Sequence, residues 1–510
     1  MSLFSLMIQS MSRHLISACA AAAALVLGGC AVGPNFKAPQ APHTSGFAPP
    51  GQLPAETHAA PAADVQAQRF IDGLDIPGQW WTLFKSADLN ALIERGVADN
   101  PTLEAAQAAL RQANEIALAQ RGSFYPSASA GLAAQRAKEP AAALGLPASG
   151  SILYTLNSAQ VNVSYTLDAF GGVRRQAEAL RAQAEYVQFS LEATYLSLTA
   201  NIVTAAISEA SLRAQIAATE DIADSQQKQL DITRRRVAAG GASRADVLQQ
   251  QSLLQSTLAS LPPLRSQLAQ ARNLLSTYVG SLPADFSAAE FNLDSLTLPL
   301  DLPLTLPSKL VEQRPDVRQY SALLHEATAQ VGVATANMLP QITLSGSYGG
   351  EAGSFSDVFS PGSVLWTLGA SLTQPIFKGG QLVHQRRAAV AAAQEALANY
   401  KATVLTAFQN VSDALYALNA DADAVAAQTL AAGSAAESLS LVQAQYKSGG
   451  ASYLQVLSSQ QSYQTAAIAL VKVRAQRYAD TAALFQALGG GWWNRADVAA
   501  VSTPYAKGQL

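Results

Sequence analysis

The stretch QVNVSYTLDAFGG, residues 160–172, holds two periods separated by a pair of glycines. Val161, Val163, Tyr165, Leu167 and Ala169 alternate with Gln160, Asn162, Ser164, Thr166 and Asp168. That pattern writes a strand with one apolar and one polar face. Beyond Gly171-Gly172 the alternation stops, and no proline occurs in the next stretch of about 68 residues, up to Gly240. At about 1.5 Å per residue, an unbroken helix of that length runs about 100 Å.

The transition is written twice. Ile342, Leu344, Gly346 and Tyr348 alternate with polar neighbours, as do Trp366, Leu368, Ala370 and Leu372. The second run leads into Phe377-Lys-Gly-Gly380 and another proline-free stretch to Gly449. Pro101 and Pro126 return as Pro315 and Pro340, each 214 residues on. Gly240-Gly-Ala-Ser243 returns as Gly449-Gly-Ala-Ser452, and Gly280 as Gly489, each 209 residues on. Punctuation repeated in order means that one supersecondary unit has been duplicated.

Within each copy the proline opens a helix with an acid in its first turn, Glu104 or Asp316, because the missing N–H has no partner there. The helix stops before Pro126 or Pro340. A hairpin follows, with its loop over residues 138–157 or about 351–362, so the chain is expected to carry four strands. The strand around Ala128, Ala130 and Leu132 has the weakest pattern. After the long helix and its Gly-Gly turn a returning helix is expected over 244–279 and 453–488, N-capped by Ser243 and Ser452. Pro262-Pro263 should bend the first of these.

Charged residues make up only 14% of the chain, below the roughly 25% of ordinary soluble domains. Such a composition suits long helices packed closely on several sides. No apolar run after the first thirty residues is long enough for a transmembrane helix, so any crossing must be made by strands. Four strands leave two open edges, and closure needs several chains. Two chains give eight strands and a filled interior; three give twelve and room for water. Strand count therefore points to a trimer, with apolar faces toward lipid and polar faces toward a lumen.

The first residues read as a secretory signal. Residues 15–27 form an apolar run too short to span a bilayer comfortably, ending in Leu27-Gly28-Gly29-Cys30. These four residues resemble the lipobox of bacterial lipoproteins, in which the thiol carries the diacylglyceryl group. Ala31, rather than Asp, follows, which in such lipoproteins resembles an outer-membrane address. Residues 31–66 are rich in Pro and Ala and read as an extended tether or a strap on the body.

From Cys30 to Trp493 the chain resembles the outer-membrane factor family, the TolC-like ducts, in its NodT-type lipoprotein branch. The resemblance rests on Cys30-Ala-Val-Gly-Pro-Asn-Phe, Trp80-Trp81-Thr-Leu-Phe, Leu306-Pro-Ser, Arg314-Pro-Asp-Val317, Pro375-Ile-Phe-Lys-Gly-Gly380 and Ala487-Leu-Gly-Gly-Gly-Trp-Trp493. It implies a mainly α fold with a β-hairpin per repeat: a trimeric α-barrel tunnel under a shared 12-stranded transmembrane β-barrel. The expected division is a signal peptide (1–29), a lipid-anchored strap (30–78), a first repeat (79–280), an equatorial linker (281–313), a second repeat (314–489) and an equatorial tail (490–510). The implied partners of the homotrimer are outer-membrane lipid, a periplasmic membrane-fusion adaptor and an inner-membrane efflux pump.

The tips Gly240, Gly241, Ala242, Ser243, Gly449, Gly450, Ala451 and Ser452 are expected to meet the adaptor. The resemblance also implies a gate just after the second tip, made of an apolar ring and acidic rings. The apolar position falls on Leu454. The acidic positions fall on Gln455 and Ser458, which are not acidic here, while Asp246 is the carboxylate at the spacing equivalent to Gln455.

Other features read as structural. Trp80-Trp81 and Trp492-Trp493 are expected to be packing residues. Arg234, Arg235 and Arg236 complement a helix C-terminus, and Asp421 and Asp423 form a solvated or lumen-facing pair. The five scattered histidines include no pair with metal-ligand spacing. No catalytic constellation, phosphate-binding loop or cofactor motif is present, and the net charge of -3 argues against nucleic acid. The expected function is passive: an outer-membrane exit duct for small toxic solutes or drugs, neither an enzyme nor a cofactor protein. Two alternatives are a type I secretion channel for polypeptides and a lipid-anchored periplasmic coiled-coil scaffold.

Overall fold

The computed structural model describes residues 31–42, 44, 46–60, 65–140 and 150–496. In chain order the helices are α1 (Ala87–Asp99), α2 (Pro101–Arg121), α3 (Gly172–Ala238), α4 (Arg244–Tyr278), α5 (Pro307–Gln313), α6 (Pro315–Ala336), α7 (Gln381–Lys447) and α8 (Tyr453–Ala487). The strands are β1 (Arg69–Asp72), β2 (Ser127–Pro140), β3 (Ser151–Leu167), β4 (Asp301–Leu304), β5 (Gln341–Ala352) and β6 (Val364–Thr373). The duplication is visible in the lengths: α3 and α7 are each 67 residues long, and α4 and α8 each 35.

Capping chemistry sets the helix ends. Asn100 accepts from the N–H groups of Thr102 and Leu103 at 2.9 and 3.1 Å, ahead of Pro101 in the first turn of α2. Ser243 and Ser452 cap α4 and α8 as expected, each in a reciprocal capping box, with Asp246 and Gln455 as the respective partners. Helix α4 runs through Pro262 and Pro263.

The chain forms two compact units, each drawing segments from both repeats. The first lies within Met1–Ala38, Leu110–Tyr186 and Tyr320–Tyr400. Its sheet has the order β2-β3-β5-β6 with every pairing antiparallel. Residues 31–36 are clasped beside it. Val32 donates to the Phe170 carbonyl at 3.1 Å. Arg175 donates to Val32 O at 3.1 Å and to Asn35 Oδ1 at 2.6 Å, and pairs with Glu178 at 2.7 Å. Phe36 stacks on His325 at 4.4 Å, and His325 reaches the same Glu178 at 3.0 Å.

The second unit lies within Pro39–Ala109, Val187–Gln319 and Lys401–Leu510. Trp80, fully buried, stacks on Phe485 at 5.3 Å and meets Trp81 and Phe84 edge-on. Both tryptophan pairs pack in this unit: Trp492 donates to Gln313 O, and Trp493 to Asp75 Oδ1 at 3.1 Å. Arg314 forks onto Asp316 and donates to the Ala487 carbonyl at 3.0 Å, which ties the start of α6 to the end of α8. The Pro-rich segment is a strap here rather than a free tether. It is held along α7 by Phe47 on Phe408 at 5.5 Å, Gln52 on Tyr416 at 2.8 Å and His58 on Asp423 at 2.7 Å.

Two features differ from the strand reading. Strands β1 and β4 pair in parallel, 69–72 with 301–304, although their four-residue lengths carry no alternation to recognise. The first hairpin is also longer: β2 reaches Pro140 and β3 begins at Ser151, inside the stretch expected as loop. In that extension the faces exchange character, so the apolar alternation runs out of phase with the rest of the strand. Ile152, Tyr154 and Leu156 lie on the side of Gln160 and Asn162, and Leu153, Thr155 and Asn157 on the side of Val161.

Candidate functional site

The sheet of the first unit sorts its side chains by face over its central rows. Residues paired across an antiparallel ladder share a face, so the register can be read as rows. One row holds Ala128, Val163, Gly346 and Leu368; the next holds Tyr165, Leu344 and Ala370; another holds Ala130, Val161, Tyr348 and Trp366. The intervening rows hold Ser127, Ser164, Ser345 and Gly369, then Thr166, Thr343 and Ser371. Thr166 and Thr343 hydroxyls lie 3.3 Å apart, and those of Ser347 and Thr367 2.7 Å apart. The apolar face is uncovered in the single chain: Leu368 is 83% exposed, Trp366 70% and Leu372 67%. β2 and β6 are edge strands.

The helix tips lie in the second unit. Gly241 N donates to Arg236 O at 2.8 Å and Gly240 N to Val237 O at 3.0 Å, and Gly450 and Gly449 repeat the pair on Gln445 and Tyr446. This is the Schellman ending, which needs a left-handed residue. Gly240 and Gly449 supply it at φ +76 and +83, with nothing within 4 Å of where a Cβ would stand. The tip surface is therefore open, and conformation rather than crowding requires glycine. Leu454, Gln455 and Ser458 are exposed on one face of α8, while Tyr453, Val456 and Gln460 turn inward. Asp246 and Gln455 are both engaged as capping partners, accepting from the N–H groups of Ser243 and Ser452 at 2.9 and 2.7 Å.

Behind these residues lies a knot that the sequence reading missed. The Tyr453 hydroxyl donates to Gln250 Oε1 at 2.6 Å and accepts from Thr233 at 3.4 Å, joining α8 to α4 and α3. Tyr446 of α7 packs on Tyr453 at 5.3 Å, and Arg236 of α3 lies 4.3 Å from the Tyr446 ring centre. Arg236 thus has a defined aromatic partner beyond complementing the helix end. Burial pushes the Tyr453 hydroxyl up to about 12, so it stays protonated and able to donate. The available signal was a departure from the repeat: Arg244 stands at the position matching Tyr453, 209 residues earlier.

Asp421 and Asp423 have separate roles. Asp423 is exposed and pairs with His58 of the strap. Asp421 of α7 is half-buried, and its acidity is set by burial, then by the Asp480 carboxyl of α8, against the opposing charge of Arg477. Its pKa rises from 3.8 to about 7. Arg477 is itself buried and donates to Gln68 Oε1 at 3.0 Å and Gln66 O at 2.8 Å of the strap.

Between the two values the folded chain holds a proton that the unfolded chain has released. Stability is therefore fully present below 3.8 and lost as the pH rises to about 7. Asp421→Asn keeps a hydrogen bond to Asp480 without titrating. Its thermal midpoint should match the parent near pH ~4 and exceed it by about a few degrees at pH ~8. An offset independent of pH would show that Asp421 does not carry the proton.

Cys30 lies outside the described residues. Among the described residues, no group of three or more His, Cys, Asp or Glu side chains is placed to hold a metal, and no helix is long and apolar enough to cross a membrane.

A sequence model of the family described as outer membrane efflux protein matches residues 92–281 and 306–490, one segment in each repeat. The chain is 32% identical over 485 residues to the pyoverdine export outer membrane protein OpmQ of Pseudomonas aeruginosa, covering 94% of this chain and 96% of that one. It is 29% identical to nodulation protein T of Rhizobium leguminosarum bv. viciae, with 94% of each chain covered. Among solved structures, the outer-membrane channel OprN superposes with a TM-score of 0.82 at 25% identity, over 91% of this chain and 100% of that one.

Proposed function

The chain belongs to the outer membrane efflux protein family, and from that premise we propose that three copies close their sheets into one duct through which small toxic solutes or drugs leave the cell. The observation that carries this reading is the register. It gathers every exposed apolar side chain of the central sheet rows on one face and the hydroxyl and amide side chains on the other. It also leaves the outer edges of β2 and β6 to be paired by neighbouring copies. The apolar face meets lipid, and the polar face lines the lumen. The likeness to a protein named for pyoverdine export supports a small organic cargo.

The finer assignments belong to the same proposal. Cys30 carries the lipid, and the clasp of Arg175 on residues 32–35 fixes the chain that follows it. The divisions at 79–280, 281–313 and 314–489 are first repeat, linker and second repeat. The open tips around Gly240–Ser243 and Gly449–Ser452 receive a periplasmic adaptor, which links the duct to an inner-membrane pump. Leu454 forms the narrowest ring, with Gln455, Ser458 and Asp246 as its polar surround, and the Tyr453 knot holds that ring in its narrow arrangement.

Conductance in planar bilayers tests both levels. The parent protein should form channels. Leu454→Ala, which shortens the ring residue, and Tyr453→Phe, which deletes the hydroxyl joining α8 to α3 and α4, should each raise resting conductance several-fold. Absence of any conductance from properly assembled parent protein would favour a scaffold. Channels unchanged in both variants would place the constriction elsewhere.

A further inference from the structure

The turn that joins β5 to β6 does not continue the sheet; it folds back over one face of it. Three contacts show which face. The position of a Gly350 side chain is taken by the Val358 carbonyl. Gly350 shares its face with Tyr348 and Gly346, two and four residues earlier. Asn157, which shares a face with Val161 and Val163, donates to Gly353 O at 3.0 Å and to Ala352 O at 3.4 Å. The turn therefore lies on the apolar face, directly beyond the paired Tyr348 and Trp366.

Its polar side chains are tied to one another and to its own backbone. The Ser363 hydroxyl, with one proton to donate, lies 2.6, 3.0 and 2.8 Å from the carbonyls of Asp357, Val358 and Ser360. Ser354 donates to Asp357 Oδ2 at 2.7 Å, and the Val358 side chain is buried. Exposed beside these hydrogen-bonded Ser354, Ser356 and Asp357 side chains is a pair of rings: Phe355 is 53% exposed and Phe359 73%, edge to face at 6.2 Å. A short turn that satisfies its polar atoms internally and presents two phenyl rings suits the boundary of a bilayer, where aromatic side chains form girdles.

We propose that the 355–363 turn is a membrane foot, with Phe355 and Phe359 seated in the lipid at the far rim of the apolar band, continuing the surface that begins at Tyr348 and Trp366. This rests on the reading of the apolar face as lipid-facing, and the test separates the two. The full chain is reconstituted in phosphatidylethanolamine–phosphatidylglycerol vesicles, and nitroxides are placed singly through Phe355→Cys, Phe359→Cys, Leu368→Cys and Ser356→Cys, with the unsubstituted chain as background. Collision rates with oxygen, which concentrates in lipid, are compared with those of a water-soluble nickel chelate.

Oxygen should exceed nickel several-fold at 368, 355 and 359, and nickel should dominate at 356. Oxygen dominance at 368 with nickel dominance at 355 and 359 overturns the foot and leaves the barrel standing. Nickel dominance at 368 as well overturns both. Dipolar broadening between labels at 355 or 359, without oxygen dominance, would mean that a second copy rather than lipid covers the rings, and would also overturn the proposal.

Discussion

Leu368→Arg is expected to destabilise the membrane-inserted protein by about 2–4 kcal/mol, the cost of an arginine facing lipid near the bilayer midplane. Ser371→Arg, three residues along the same strand, should leave assembly intact. Leu368 is 83% exposed, paired with Gly346 in the row that also holds Val163. A guanidinium there has no protein group to meet and only lipid to enter. Ser371 is paired with Thr343, in the row of Thr166, so an arginine there enters water and adds one positive charge per copy to the lumen. Urea unfolding from vesicles should show the first effect. A shift of the reversal potential toward anion preference should show the second. Equal destabilisation by both substitutions, or a selectivity change from Leu368→Arg alone, would reverse the assignment of faces.

Trp80→Ala should cost more still in the second unit, about 3–5 kcal/mol by the scale of large aromatic truncations in packed cores. Trp80 has no exposed surface. It lies flat on Phe485 at an interplanar angle of 17° and meets Trp81 and Phe84 edge-on. Gly490 closes the pocket from another side, since a Cβ there would collide with Leu196. Neighbours held this firmly cannot collapse into the space that alanine leaves. Trp80→Phe keeps a ring on Phe485 and should lose distinctly less. Thermal unfolding in detergent, followed by circular dichroism, compares the two. A loss under about 1 kcal/mol for alanine would mean that the pocket refills and the cluster is not a rigid core.

These two sites differ in how they could be found. The face of Leu368 was legible because strand alternation is local: each side chain's side is fixed by its neighbours. Trp80 was legible only as an aromatic that belongs inside. That it stacks on Phe485, some four hundred residues later, is written in no local pattern. The tip shows both cases within one short stretch. Gly449, Ser452 and Gln455 act through hydrogen bonds to residues a few positions away, and their type announces the Schellman turn and the capping box. Tyr453, between them, bonds Gln250 and Thr233, 203 and 220 residues away, and looks like any first-turn residue. Gln455, proposed for the gate by resemblance, and Asp246, proposed by the spacing of the repeat, cap their own helices, a role their spacing from Ser452 and Ser243 could have shown.

The duplication, the lengths of the long helices, the turns that end them and the two faces of the central sheet could all be read along the chain. Each follows from periodicity, from proline and glycine backbone preferences, and from capping within a few residues. Tertiary structure decided the rest. It joined β1 to β4, laid the strap along α7 and closed Arg477 around Gln68, 409 residues away. It also folded the 355–363 turn onto the apolar face. Those outcomes depend on which distant surfaces meet, and a buried guanidinium or an unpaired strand is indifferent to sequence distance so long as its hydrogen bonds are made.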